Sequence, residues 1–78
     1  MKVFLEIEKI QTETETDLGI PTSMLRVEVP ADWSDEQIGE KCEELVTTLG
    51  WTEYKAYKHI CRHDEGGSCE RFKIGGIR

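Results

Sequence analysis

The residues best suited to chemistry in this chain are two histidines and two cysteines that lie close together in the sequence. His59, Cys61 and His63 alternate along one segment, and Cys69 follows six residues later. Thiolates and imidazoles are the ligands that zinc prefers in proteins, usually four in a tetrahedron. The spacing matches no strong zinc pattern, because alternate residues of a flat strand lie about 6.6 Å apart and three of them reach one ion poorly. We therefore expect no metal and no cofactor.

Other cysteine chemistry is not expected either. The chain has three cysteines and no secretory signal, which favours reduced thiols in a cytoplasmic protein. With a turn centred on residues 64–67, Cys61 and Cys69 would lie on opposite faces of a hairpin. That placement disfavours both a disulfide and a shared metal. A cysteine nucleophile needs a base and an oxyanion donor, and no segment indicates both.

A second group of residues is acidic, and it is the surface that we expect to bind a partner. Residues 12–17 alternate threonine with acid, which on an extended chain would form a row of negative charge. Regularly spaced carboxylates can imitate a phosphate backbone and occupy a cationic groove that normally holds nucleic acid. The alternative is an ordinary solvated loop and helix face. The predicted partner-binding residues are Glu13, Glu15, Asp17, Asp35, Glu36, Glu40, Glu43 and Glu44.

The basic residues suggest a different ligand. Residues 1–50 contain 12 acids and 4 bases, a balance of −8, whereas residues 51–78 contain 4 acids and 6 bases, a balance of +2. A basic hairpin beside Tyr54 and Tyr57 could contact single-stranded nucleic acid. The net charge of −6 opposes this, so we expect a protein partner first. The alternative nucleic-acid-binding residues are Lys58, Arg62, Arg71 and Lys73.

The element that must carry much of the acidic surface is a helix over residues 34–50. Ser34 is a suitable N-cap, and Gln37 three residues later completes a capping box. Gly50 ends the helix, and Trp51 just beyond it can cover Val46 in a Schellman-type stop. Apolar residues recur with the 3.6-residue period of one buried helix face. These are Ile38, Cys42, Leu45, Val46 and Leu49.

Alternating apolar and polar residues predict four strands in two hairpins, over residues 2–30 and 54–74. In the second hairpin, Tyr57, His59 and Cys61 should share a face with Phe72 and Ile74, and this face should meet the helix. The basic residues should face water. The predicted fold is α+β, a ββαββ two-layer sandwich with one helix packed on an antiparallel four-stranded sheet. The strand order stays open.

These features limit the function classes. Seventy-eight residues make one domain, and so short a chain seldom supplies a pocket with its supporting shell. No phosphate-binding glycine motif and no membrane-spanning apolar run occur. We therefore expect a small acidic, non-enzymatic protein that binds and inhibits or modulates a macromolecular partner, for example an anti-defence (anti-CRISPR-like) factor of a phage. A nucleic-acid-binding module and a small metal-binding protein are the alternatives, and the oligomeric state stays open.

Overall fold

A computed structural model describes residues 1–19 and 22–76 of the chain. The elements are β1 (Lys2–Lys9), α1 (Glu13–Asp17), β2 (Met24–Val29), α2 (Asp35–Leu49), β3 (Tyr54–Cys61), a 3₁₀ turn (His63–Glu65) and β4 (Glu70–Gly76). Four strands form one antiparallel sheet in the order β2-β1-β3-β4, so β1 and β3 are central. The long helix α2 packs on one face of the sheet, and no described element covers the other, which we call the open face. The predicted α+β class is confirmed.

The core lies between α2 and the sheet, and strands β1, β2 and β3 contribute to it. Its largest fully buried side chains are Leu5 and Ile7 of β1 and Ile38 of α2. Trp33 and Trp51 flank α2 and pack against this cluster from its two ends. The buried apolar residues of the core are Val3, Leu5, Ile7, Val29, Ile38, Cys42, Val46 and Ala56.

Both ends of α2 are formed as the sequence predicts. The Ser34 hydroxyl accepts a hydrogen bond from Gln37 N at 3.2 Å, and the Gln37 side chain accepts one from Ser34 N at 2.8 Å. Gly50 has a φ of 72°, and Trp51 N donates to the Val46 carbonyl at 3.0 Å, which completes the Schellman stop. The predicted burial of Leu49 is wrong, since it is 47% exposed. The last turn of α2 therefore extends beyond the covered part of the sheet.

The orientation of β3 differs from the prediction. Tyr57, His59 and Cys61 lie on the open face, not toward the helix. Lys58 shows this directly, because its ammonium group lies 2.8 Å from Asp35 of α2, and alternate residues of a strand point to opposite faces.

The connection between β3 and β4 explains this error. A four-residue turn over 64–67 would bring Cys61 opposite Glu70, but Glu70 pairs with Ile60. A one-residue slip moves every side chain of one strand to the other face relative to its partner. The orientation of β4 is as predicted, with Arg71 on the open face and Phe72 on the side of α2.

Candidate functional site

The open face is centred on a buried carboxylate. Glu6 lies in the middle of β1 and is 5% exposed. One of its oxygens accepts a hydrogen bond from Arg71 Nε at 2.9 Å. The other oxygen lies 3.1 Å from His59 Nδ1 and 3.5 Å from Arg26 Nε. Since these partners belong to β4, β3 and β2, one side chain connects all four strands.

The charge state of Glu6 follows from these contacts. Burial disfavours the carboxylate form and by itself raises the pKa of Glu6, but hydrogen bonds from His59 and Arg71 outweigh it. The net effect holds the pKa of Glu6 below its ordinary value of 4.5. Glu6 is therefore ionised at neutral pH and fixes two half-exposed arginines on the open face.

Two aromatic rings on the central strands lie beneath these arginines. The guanidinium carbon of Arg26 is 4.0 Å from the centroid of the Phe4 ring, and that of Arg71 is 3.7 Å from the Tyr57 ring. Such stacking holds the guanidinium plane while leaving some of its N–H groups free to donate. The open face thus combines cations with π-surfaces, which is the combination that binds single-stranded nucleic acid in many proteins.

The four predicted nucleic-acid-binding residues do not share one surface. Lys58 lies on the opposite side of the sheet, paired with Asp35, because the register of β3 differs from the prediction. Arg62 is paired with Glu70 at 2.9 Å in the connection between the strands. Arg71 and Lys73 do lie together on the open face.

The β3–β4 connection brings together Cys61, His63 and Cys69, which we call the Cys–His cluster. One ligand atom from each residue lies within 4.8 Å of the other two. The Cys61 sulfur is 3.5 Å from His63 Nδ1, and the Cys69 sulfur is 3.8 Å from the same nitrogen. Both thiols are free. Desolvation, reinforced by the neighbouring Cys61, raises the pKa of the Cys69 thiol.

This convergence overturns the expectation that Cys61 and Cys69 face opposite ways. Continuing the register of the hairpin by one residue beyond the Ile60–Glu70 pair brings the two cysteines opposite each other on one face. His63 then enters from the 3₁₀ turn. His59, by contrast, is bound to Glu6 and does not belong to the cluster. The three alternating residues His59, Cys61 and His63 therefore do not come together, and Cys69 takes the place of His59 beside the other two.

The acidic residues near the N-terminus do not form an extended row. Residues 13–17 form the short helix α1, with a capping box between Thr12 and Glu15. Glu15 also lies 3.3 Å from the ammonium group of Lys9. On a helix, Glu13 and Asp17 are four residues apart and share one side, while Glu15 turns away from them. The expectation of a linear charge row is wrong.

The acids of α2 are all exposed, and three of them form a line. Glu36, Glu40 and Glu44 recur every four residues, so they lie on one side of the helix at intervals of about 6 Å. We call this line the acidic stripe. Glu44 lies 3.2 Å from the ammonium group of Lys41. Within residues 1–19 and 22–76, no cation lies within ion-pair distance of Glu36 or Glu40.

The two remaining predicted acids of α2 have partners elsewhere in the fold. Asp35 binds Lys58, and Glu43 accepts a hydrogen bond from the Tyr54 hydroxyl at 3.1 Å. Burial raises the pKa of Tyr54, and the hydrogen bond to Glu43 raises it further. These two carboxylates therefore help to join α2 to β3 as well as adding negative charge to the surface.

A cavity of about 90 Å³ lies between α2 and the edge of the sheet, beside Cys42, Ala56 and Ile74. Sites for small molecules commonly have volumes of about 300–1,000 Å³, so this cavity is small for such a ligand. No helix in the described part of the chain has the length and apolar character needed to cross a membrane.

Comparisons of the chain with protein-family models, with curated proteins and with solved structures find no match. The two charged surfaces and the Cys–His cluster are the candidate functional sites of the molecule.

Proposed function

We propose that this protein is a non-enzymatic binder that inhibits or modulates a macromolecular partner through the acidic side of α2. The observation that carries the proposal is the acidic stripe. All three of its residues are exposed, and two of them have no cation nearby among the described residues. A helix surface of this kind complements a groove lined with lysine and arginine.

The acidic stripe also reduces the stability of its own helix. Like charges four residues apart destabilise a helix by about 0.2–0.5 kcal/mol for each pair. Glu36, Glu40 and Glu44 make two such pairs, and only Lys41 among the residues of α2 is basic. A surface that lowers the stability of its own helix is readily explained when it also binds a partner.

The partner that fits best is a protein with a cationic groove, such as a complex that handles nucleic acid. Carboxylates at regular intervals can occupy a groove built for phosphates. We propose a phage-type anti-defence (anti-CRISPR-like) inhibitor as one binder of this kind. Glu13 and Asp17 of α1 are also exposed and add further negative charge to the surface.

A capture experiment followed by kinetics tests this proposal. The double variant Glu36→Gln/Glu40→Gln should lose the partner that the unmodified chain retains from a host lysate. The matched control is Glu8→Gln/Glu28→Gln, which changes the net charge equally but on the open face. On the identified partner, the α2 variant should associate about tenfold more slowly, and added salt should reduce this difference. Equal loss of binding in both double variants would contradict the proposal.

A second candidate function is the binding of single-stranded nucleic acid by the open face. The specific observation that favours it is the stacking of Arg26 and Arg71 on aromatic rings of the central strands. Fluorescence anisotropy with single-stranded DNA and RNA oligonucleotides tests it. Arg26→Gln/Arg71→Gln should then weaken binding, whereas Glu36→Gln/Glu40→Gln should leave it unchanged or strengthen it. Absence of binding to both oligonucleotides at low salt would eliminate this candidate.

A further inference from the structure

We propose that Cys61, His63 and Cys69 form a zinc site whose fourth coordination position is open to an external ligand. This site lies in the β3–β4 connection and shares no residue with the acidic stripe of α2. Two thiols and one imidazole are a ligand set suited to Zn²⁺.

The distances within the cluster agree with those of a zinc site. With Zn–S near 2.3 Å and Zn–N near 2.0 Å, tetrahedral angles place sulfur and nitrogen about 3.5 Å apart. The two sulfurs lie 3.5 Å and 3.8 Å from His63 Nδ1. The corresponding separation of two sulfurs is about 3.8 Å. Because all three ligand atoms already lie within 4.8 Å of one another, small side-chain movements complete the geometry.

The backbone of the connection holds the ligands near these positions. The Arg62 carbonyl accepts hydrogen bonds from Glu65 N at 3.0 Å and Gly67 N at 2.9 Å, which closes the turn that carries His63. Gly66 has a φ of 76°, a conformation that suits glycine and lets the chain reverse. The Arg62–Glu70 ion pair joins the two sides of the connection. The site therefore needs little ordering when the ion binds.

The cluster lies at the surface, away from the core. Neither His63 nor Cys69 belongs to the buried cluster under α2, and both are exposed. Three protein ligands leave one tetrahedral position for water, a small thiol or a side chain of a partner. Zinc should consequently stabilise the hairpin without being required for folding of the domain.

Metal binding by the reduced, full-length chain tests the proposal. Competition with a chromophoric chelator should show one Zn²⁺ per chain. Co²⁺ in its place should give a thiolate-to-metal charge-transfer band and the intense visible bands of a tetrahedral ion. Cys61→Ser, Cys69→Ser and His63→Gln should each weaken zinc binding by more than about 100-fold, beyond the usual loss when an outer-shell partner is removed.

Two control variants separate this site from other thiols and imidazoles. His59→Gln and Cys42→Ala should keep zinc affinity within about threefold, because neither residue belongs to the cluster. Circular dichroism should show the fold intact after treatment with EDTA. Equal zinc affinity in the unmodified chain and in Cys61→Ser/Cys69→Ser would overturn the proposal. So would a Cys61–Cys69 disulfide that forms in a reduced-glutathione buffer and prevents metal binding.

Discussion

Replacement of Glu6 by glutamine tests the central electrostatic feature of the sheet. Glutamine keeps the size of the side chain but removes the negative charge that faces Arg26, His59 and Arg71. Hydrogen bonds to charged groups contribute about 1.5–3 kcal/mol each, and the arginines are nearly half exposed, so water recovers part of the loss. We therefore expect Glu6→Gln to lower the free energy of unfolding by about 1.5–3 kcal/mol at pH 7, below the cost of breaking a fully buried pair.

The pH dependence of this loss gives a sharper test. The folded-state pKa of Glu6 lies below its ordinary value of 4.5. Its carboxylate therefore stabilises the fold fully above the unfolded-state pKa, and this contribution disappears as the pH falls through the folded-state pKa. The difference between Glu6→Gln and the unmodified chain should accordingly shrink at about pH 2.5.

Urea unfolding followed by tryptophan fluorescence measures both quantities, since Trp33 and Trp51 pack against the core. Glu8→Gln is the matched control, because Glu8 lies two residues along the same strand and on the same face. It should change stability by less than about 0.5 kcal/mol. The role assigned to Glu6 would be refuted by an effect of Glu6→Gln as small as that of Glu8→Gln at pH 7, or by an equal effect at both pH values.

Three further substitutions test the packing by the same urea titration. Ile38→Ala should cost about 2–5 kcal/mol because Ile38 is fully buried, whereas Leu49→Ala should cost less than about 1 kcal/mol. Equal losses of stability in Ile38→Ala and Leu49→Ala would show that the two side chains are equally buried. Gly39→Ala should raise stability by about 0.5–1 kcal/mol, because alanine favours a helix and an added Cβ meets no atom within 4 Å. A loss of stability would contradict the open surroundings of Gly39.

The helix α2 could be predicted from the sequence because its signals are local. The cap at Ser34 and the stop at Gly50 act through residues within five positions, so the order of the strands does not affect them. The same rule was available for α1, where Thr12 and Glu15 have the spacing of a capping box. In that segment the alternation of threonine and acid favours an extended chain, whereas the capping box favours a helix. The structure has the helix.

The candidate sites were harder to predict because they depend on pairing between distant strands. Whether Cys61 and Cys69 meet depends on a single residue of register, which the 3₁₀ turn at 63–65 sets. The Glu6 network requires β1 to lie between β2 and β3, and the sequence leaves that order open. Glu6 itself gives no signal, because it continues the alternation of apolar and polar residues along β1, as an exposed carboxylate would.

The central position of β1 has a consequence for the synthesis of the chain. β1 pairs with β3, and Phe4 lies opposite His59, 55 residues later. At about 5–20 residues per second, roughly 3–11 s separate the synthesis of these two residues. Until then β1 has only β2 as a partner, and an isolated two-stranded hairpin is marginally stable. One backbone edge of β1 therefore stays unpaired during synthesis, and the four-stranded sheet can close only after β3 has been made.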